Sequence, residues 1–184
     1  GTLRIVGTMV LIDSTVFEAA PGRATLYARL HGDGSRKALM LVHHMDVVPA
    51  EPAEWTVQPF GGVVRDGYIW GRGTLDNKGP GIMEVLSFVM LKRLKVPLAR
   101  DVVLLAVGDE EQGGGKGARY MMAEHFDVVR DVEFALNEGG AMLQLDDGHM
   151  RYAVEFAQKV PLWVKLTANG PAGHASMAKP EAAT

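Results

Sequence analysis

Six side chains of the types that hold divalent metals or move protons each close an apolar run or lie in a glycine-bounded loop. His44 and Asp46 follow Ala38-Leu39-Met40-Leu41-Val42, Glu110 and Glu111 follow Val102 to Val107, and Glu138 follows Val132 to Leu136. Asp76 stands within Gly71-Arg72-Gly73-Thr74-Leu75-Asp76-Asn77-Lys78-Gly79. The sequence contains no cysteine, so any metal here takes nitrogen and oxygen ligands. One imidazole among several hard oxygens suits Zn²⁺ first, with Mn²⁺ or Co²⁺ as alternatives. A bridging carboxylate would hold two ions about 3.5–4 Å apart, the arrangement of two-metal hydrolases. The chemistry this points to is hydrolysis by a metal-activated water, with a carboxylate as general base.

Each residue also has a plainer reading when taken singly. His44 and Asp46 are two apart at a strand end and share a face. A ligating imidazole donates its second ring N–H to an outer acceptor, a place Asp46 can fill, direct ligation being the other option. His43 faces the opposite way and receives no role. Glu110 and Glu111 repel one another and lose hydration after a buried strand unless a cation lies near. One of the two can ligate while the other takes a proton. Asp76 alone reads as a helix cap, and Glu138, between Asn137 and Gly139, as a solvated loop acid. What moves the reading to a metal site is the joint delivery of these groups by four separate loops.

The elements that must position them follow from hydrophobic patterning. Short apolar runs without alternation read as strands buried on both faces, and open α/β sheets collect chemistry beyond the carboxyl ends of such strands. Strand-like runs occupy 1–12 and 23–30, separated by Pro21-Gly22, and buried strands occupy 38–42, 101–107 and 132–136. Pro49, Pro52 and Pro59 hold an irregular stretch, and residues 61–70 read as a hairpin turning on Asp66-Gly67. Ile82, Met83, Leu86, Val89, Met90 and Leu94 recur at helical spacing over 79–95, with Lys92, Arg93 and Lys95 where the helix dipole favours cations. A second helix is expected over about 114–126. Alternating strand and helix imply parallel crossovers, hence an α/β fold with a largely parallel mixed sheet flanked by helices. From residue 150 the texture changes to longer, partly alternating strands at 150–157 and 160–167. These suggest an antiparallel layer and a second domain from about 159.

Composition narrows the function classes. At 184 residues the chain can bury a core unaided, and 47% hydrophobic with 22% charged content is ordinary for a globular protein. A net charge of −3 without any basic run argues against nucleic acid as a partner. No apolar stretch nears the roughly 20 residues that span a bilayer, so no membrane partner is expected. The chain opens at Gly1, so targeting is not legible. A soluble protein is expected, the cytoplasm being slightly favoured over a secreted or periplasmic location.

His44-Met45-Asp46-Val47-Val48-Pro49, Gly71 to Gly79, Asp109-Glu110-Glu111 and Asn137-Glu138-Gly139-Gly140 occur in one order and at characteristic separations. This ordered set resembles the zinc metallopeptidase family of aminoacylase, glutamate carboxypeptidase, acetylornithine deacetylase and succinyl-diaminopimelate desuccinylase. Trp55, Pro59-Phe60 and Gly67-Tyr68-Ile69-Trp70-Gly71-Arg72-Gly73 are most similar to the branch of carboxypeptidase S and the N-acyl-amino-acid hydrolases. The resemblance implies a zinc exopeptidase-like catalytic domain over 1–158 and, over 159–184, the start of an inserted α+β lid and dimerisation domain. It implies two Zn²⁺ per active site. His44 would bind the first ion, Asp76 would bridge both, Glu111 would hold the second, and Glu138 would share the first with His44. Glu110 would be the general base and Asp46 would orient His44. Gly170 to Ser176 resembles an early lid motif in which His174 would contact the substrate carboxylate or the developing oxyanion, in a homodimer across the subunit boundary. Asn137 stands where many relatives carry Asp. Family members also have a C-terminal return that supplies a further histidine ligand, for which this sequence has no substitute. The 184 residues therefore look like the front part of an enzyme and are expected to be inactive alone.

The resulting expectation is a metal-dependent hydrolase of amide bonds next to a free carboxylate, acting on small peptides or N-acyl amino acids. Its rival is a truncated, non-catalytic relative that binds metal or partner chains. A nucleotide-binding reading of Gly113-Gly114-Gly115-Lys116-Gly117 is weak, because the run lacks the P-loop order and follows two acids that would repel phosphate.

Overall fold

A computed structural model gives the fold and describes residues 12–157, 162 and 164–167. These fall into two units, one ending at Glu138 and the other beginning at Gly139. All the metal-type groups named above except His174 belong to the first unit. His174 and the boundary expected near 159 lie outside the described residues.

The first unit is built on a five-stranded sheet. β1 (Asp13–Ala20) and β2 (Arg23–Leu30) form a hairpin across Pro21-Gly22, where the sequence pattern had given only β2 and an earlier run. β3 is Arg36–His44, β6 is Arg100–Val107 and β7 is Val132–Leu136. The order is β1-β2-β6-β3-β7, with β3 parallel to both β6 and β7 and β2 antiparallel to β6. Parallel neighbours need a long crossover, which α1 (Lys78–Arg93) supplies between β3 and β6. Between β3 and α1, β4 (Val63–Arg65) and β5 (Tyr68–Trp70) form the expected hairpin. Its turn residues Asp66 and Gly67 both have positive φ, 54° and 80°, as an Asp-Gly hairpin turn requires. The shorter α2 is Ala118–Glu124. The sheet is mixed, as expected.

Alternation along β6 sorts the core into two layers. Val102 and Leu104 pack with Leu41, Leu30, Phe88 and Val89 on the α1 side. Leu105 and Val107 pack with Met121 of α2 and with Met40 and Val42 on the other. Each fully buried aliphatic or aromatic chain here contributes about 1.5–3 kcal/mol of transfer free energy. Residues of β3 obey the same alternation, so His43 shares the α1 side with Leu41 while His44 lies on the opposite face.

Two sequence readings need correction. The apolar series Ile82, Met83, Leu86, Met90 and Leu94 faces outward, each more than half exposed. The helix packs through Val89, the one buried member of the expected series, together with Gly81, Val85 and Phe88. Because α1 is apolar on most sides, spacing alone could not say which stripe meets the sheet. β7, read as buried on both faces, is an edge strand whose Phe134 and Leu136 are 57% and 55% exposed. In the second unit β8 (Ala141–Gln144) pairs antiparallel with β9 (Met150–Ala153), so the expected strand at 150 has a partner the sequence pattern had not marked.

Candidate metal centre

Register brings the strand ends level. His44 lies opposite Val107, and Leu41 opposite Leu136, so the segments leading to Glu110 and Glu138 emerge beside His44. The backbone N–H of Met45 donates to the Val107 carbonyl at 2.8 Å, carrying the β3–β6 alignment one residue past the strand. Asp76 arrives from the loop before α1, whose first residue, Lys78, donates from Nζ to the Met45 carbonyl at 2.9 Å.

His44 is 2% exposed and forms the hub. Its Nδ1 lies 2.9 Å from the main-chain carbonyl of Asp46, an acceptor only, so Nδ1 carries the hydrogen. Nε2 is thereby turned to the carboxylates: 2.9 Å from Asp76 Oδ1, 3.3 Å from Glu138 Oε2 and 4.0 Å from Glu110 Oε2. His44, Asp76 and Glu111 each offer a ligand atom within 4.8 Å of the others, and so do His44, Glu110 and Glu138. Five of the seven residues singled out in the sequence thus meet at one sheet edge.

Asp46 is the sixth, and its geometry differs from a carboxylate backing an imidazole. Its carboxylate stands 3.6 Å from His44 Nδ1, farther than its own carbonyl. Both carboxylate oxygens instead accept main-chain N–H groups, Oδ1 from Glu110 and Oδ2 from Glu111, each at 3.1 Å. Asp46 therefore ties the end of β3 to the short 3-10 turn Glu110–Gln112. Asp109, just before that turn, holds a left-handed φ of 68° and accepts from the Lys116 N–H at 3.0 Å. Sequence reading passed over Asp109, although an acid directly after a buried strand and before a glycine run was a visible signal. The glycine run itself serves the backbone: a Cβ on Gly117 would run into the Gly108 carbonyl.

Electrostatics mark the edge as short of positive charge. Glu110 is held above the ordinary glutamate range, chiefly by burial, with Glu138, Glu111 and Asp46 adding repulsion that His44 only partly offsets. Burial alone would lower the His44 pKa, but the Asp46 carbonyl and the charges of Glu138, Asp76 and Glu110 more than reverse this and raise it. The carboxylates thus favour positive charge at the His44 ring. Beside Asp76, Asn77 is 1% exposed and neither polar atom of its side chain has a hydrogen-bond partner. One imidazole nitrogen freed by its tautomer, facing crowded hard oxygens, fits a divalent metal.

A mixed sheet with acids and an imidazole gathered at the carboxyl ends of its parallel strands defines an α/β domain with a candidate metal site at that edge. The chain belongs to peptidase family M20/M25/M40, whose profile matches residues 40–171. It is 38% identical over 169 residues to the N-fatty-acyl-amino acid synthase/hydrolase PM20D1 of Xenopus tropicalis, covering 87% of this chain and 32% of that protein. It is 36% identical over 160 residues to the probable carboxypeptidase S-like 2 of Dictyostelium discoideum, covering 82% and 30%. Aminoacylase-1 of Sus scrofa is 32% identical over 165 residues, covering 86% and 38%. The chain thus spans about a third of the length of these curated relatives. Among solved structures, the M20 family metallo-carboxypeptidase Sso-CP2 of Sulfolobus solfataricus superposes with a TM-score of 0.57 at 27% identity, over 70% of this chain and 28% of that one. Human carnosine dipeptidase 1 shares the fold, with a TM-score of 0.59 at 21% identity over 69% and 29%. No helix among the described residues is long and apolar enough to cross a membrane.

Proposed function

We propose that this chain carries the catalytic half-site of a metal-dependent hydrolase that cleaves amide bonds next to a free carboxylate. The substrate class is small peptides or N-acyl amino acids. The observation that carries the reading is the convergence of Asp76, Glu110 and Glu138 on the Nε2 of a buried, tautomer-fixed His44. The relatives named for acyl amino acids and for carboxypeptidase activity agree with that substrate class.

His44, Asp76, Glu111 and Glu138 would hold the metal, zinc by preference and two ions by number, with Asp76 shared between them. When bound, the metal supplies Lewis acidity toward the scissile carbonyl and acidifies the attacking water. Glu110, beside the candidate ligands, would take the proton from that water and return it to the leaving amine. Asp46 keeps Glu110 and Glu111 in register through their main-chain N–H groups and fixes the His44 ring through its carbonyl. Residues 1–158 would form the catalytic domain and 159–184 the start of a lid, where His174 would meet the substrate carboxylate or the oxyanion. That lid would also pair two copies of the chain.

Glu110→Gln, in the protein at its natural length, is expected to lower turnover by about 10²–10⁴-fold, the range of a general base, while metal content survives. Turnover equal to the parent's would remove Glu110 from the mechanism.

A further inference from the structure

His43 is an imidazole that the hydrolytic site does not use. It is 6% exposed on the α1 side of β3, facing away from the ligands. Its Nδ1 lies 2.8 Å from Oε2 of Glu84 in the second turn of α1. The two side chains are 8% and 17% exposed, so the contact is well shielded from water. An apolar pair would fill such a strand-to-helix contact at no desolvation cost, whereas a buried charged or polar pair stabilises little net. What a hydrogen-bonded pair adds is a fixed geometry.

We propose that His43 and Glu84 are positioning residues for the metal centre: their hydrogen bond locks the start of α1 to the end of β3 and so sets Asp76 opposite His44. Three features bear on this. First, His43 and His44 are consecutive, so one strand end grips α1 on one face and presents Nε2 to Asp76 on the other. Asp76 precedes α1 by two residues, so any slide of the helix moves its carboxylate against His44. Second, the start of α1 meets the strand end through polar ties as well as through Gly81 and Val85: the His43–Glu84 pair itself and the Lys78 Nζ bond to the Met45 carbonyl. A pocket of about 360 Å³, lined by His43, His44, Met45, Lys78, Gly81, Ile82 and Val85, opens beside these ties. Third, the helix is cut to receive the ring: a Cβ at Gly81 would sit 2.7 Å from His43 Cδ2. Glycine costs helix stability against alanine, a cost that the close approach of the imidazole explains.

The inference rests on the reading of His44 and Asp76 as metal ligands, so its test carries a control for that reading. Zinc is titrated calorimetrically into the metal-free protein at its natural length, and thermal melting of the same samples is followed in parallel. His43→Phe and Glu84→Ala should each weaken zinc binding by about tenfold, the low end for residues that orient ligands from outside the coordination sphere. Combining them should weaken it no further than either alone, since both break one contact. Glu84→Gln, which keeps an acceptor for Nδ1, should bind zinc as the parent does, and Gly81→Ala should weaken binding by crowding the ring. Zinc affinity at parental level in both His43→Phe and Glu84→Ala overturns the proposal, even if both melt earlier, because the pair is then a packing element only. Should His43→Phe not fold, Glu84→Ala against Glu84→Gln decides alone. The control is Asp76→Ala, which must lose zinc. If it does not, the ligand reading fails and the positioning role falls with it; with the control intact, parental affinity in the variants condemns the pair alone.

Discussion

The two ends of the parallel strands treat acidic side chains in opposite ways. At the carboxyl ends, Asp46, Asp76, Glu110, Glu111 and Glu138 gather around one imidazole, and Glu110 is held above its ordinary range. At the amino ends, Asp101 and Asp131 share Arg29, and both are held below theirs. For Asp131 the Arg29 bond dominates. For Asp101 burial works the other way, but the Gly32 N–H, Arg29 and His31 outweigh it. Arg29 spends its whole donor fork there, on Tyr27 Oη at 2.7 Å, Asp101 at 2.7 Å, both oxygens of Asp131 at 2.9 and 2.8 Å, and the Val128 carbonyl at 3.0 Å. The first edge leaves its acids short of positive charge and the second completes them. Acids compensated by the chain itself serve stability, while acids left uncompensated against a buried imidazole are candidates to hold a cation.

The contrast breaks most severely at the ligands. Asp76→Ala and Glu111→Ala should each lower zinc content, by about one ion per chain if two are held. Metal analysis of the purified protein checks this, and full occupancy in both variants would make the two edges alike in kind. At the opposite edge, Arg29→Met should leave zinc content unchanged and lower stability by about 1–2 kcal/mol in urea unfolding. The lower part of the range for charged hydrogen bonds applies because the Asp131 side chain is 48% exposed. A loss of zinc in that variant would show that the edges are not independent.

The smallest effect concerns acid. Carboxyls whose folded pKa is depressed add stability that is present above the ordinary aspartate range and lost as pH falls through the lower folded values. Asp101 and Asp131 are both of this kind. Urea midpoints of parent and Arg29→Met should therefore differ at neutral pH and converge as pH falls below the ordinary aspartate range, where both carboxyls take up protons. A gap that widens on acidification would contradict the shared-arginine account.

That the candidate groups would gather at one sheet edge was legible from residue type and order, because each follows a strand or lies in a glycine-bounded loop, and such positions are local in the sequence. The Asp66-Gly67 turn was legible for the same reason: the conformation it needs is a property of the dipeptide. The packing face of α1 was not, since a helix apolar on most sides offers several equivalent stripes and only the sheet beneath selects Phe88 and Val89. The role given to Asp46 was half legible. Its proximity to His44 followed from spacing, but nothing in sequence said that the main-chain carbonyl would take the ring while the carboxylate took the Glu110 and Glu111 amides.

By itself, then, the sequence determined which side chains are candidates to hold a metal, that they close strands or loops, and the family to which the chain belongs. Tertiary structure alone decided which nitrogen of His44 faces the acids, which residues stand behind the ligands, and that His43, given no role from sequence, joins Glu84 across the β3–α1 contact. The physical reason is range. Residue identity and strand alternation act over a few positions, whereas a hydrogen bond between residues separated by 32 positions, as in His44 and Asp76, exists only once the sheet has set the distance.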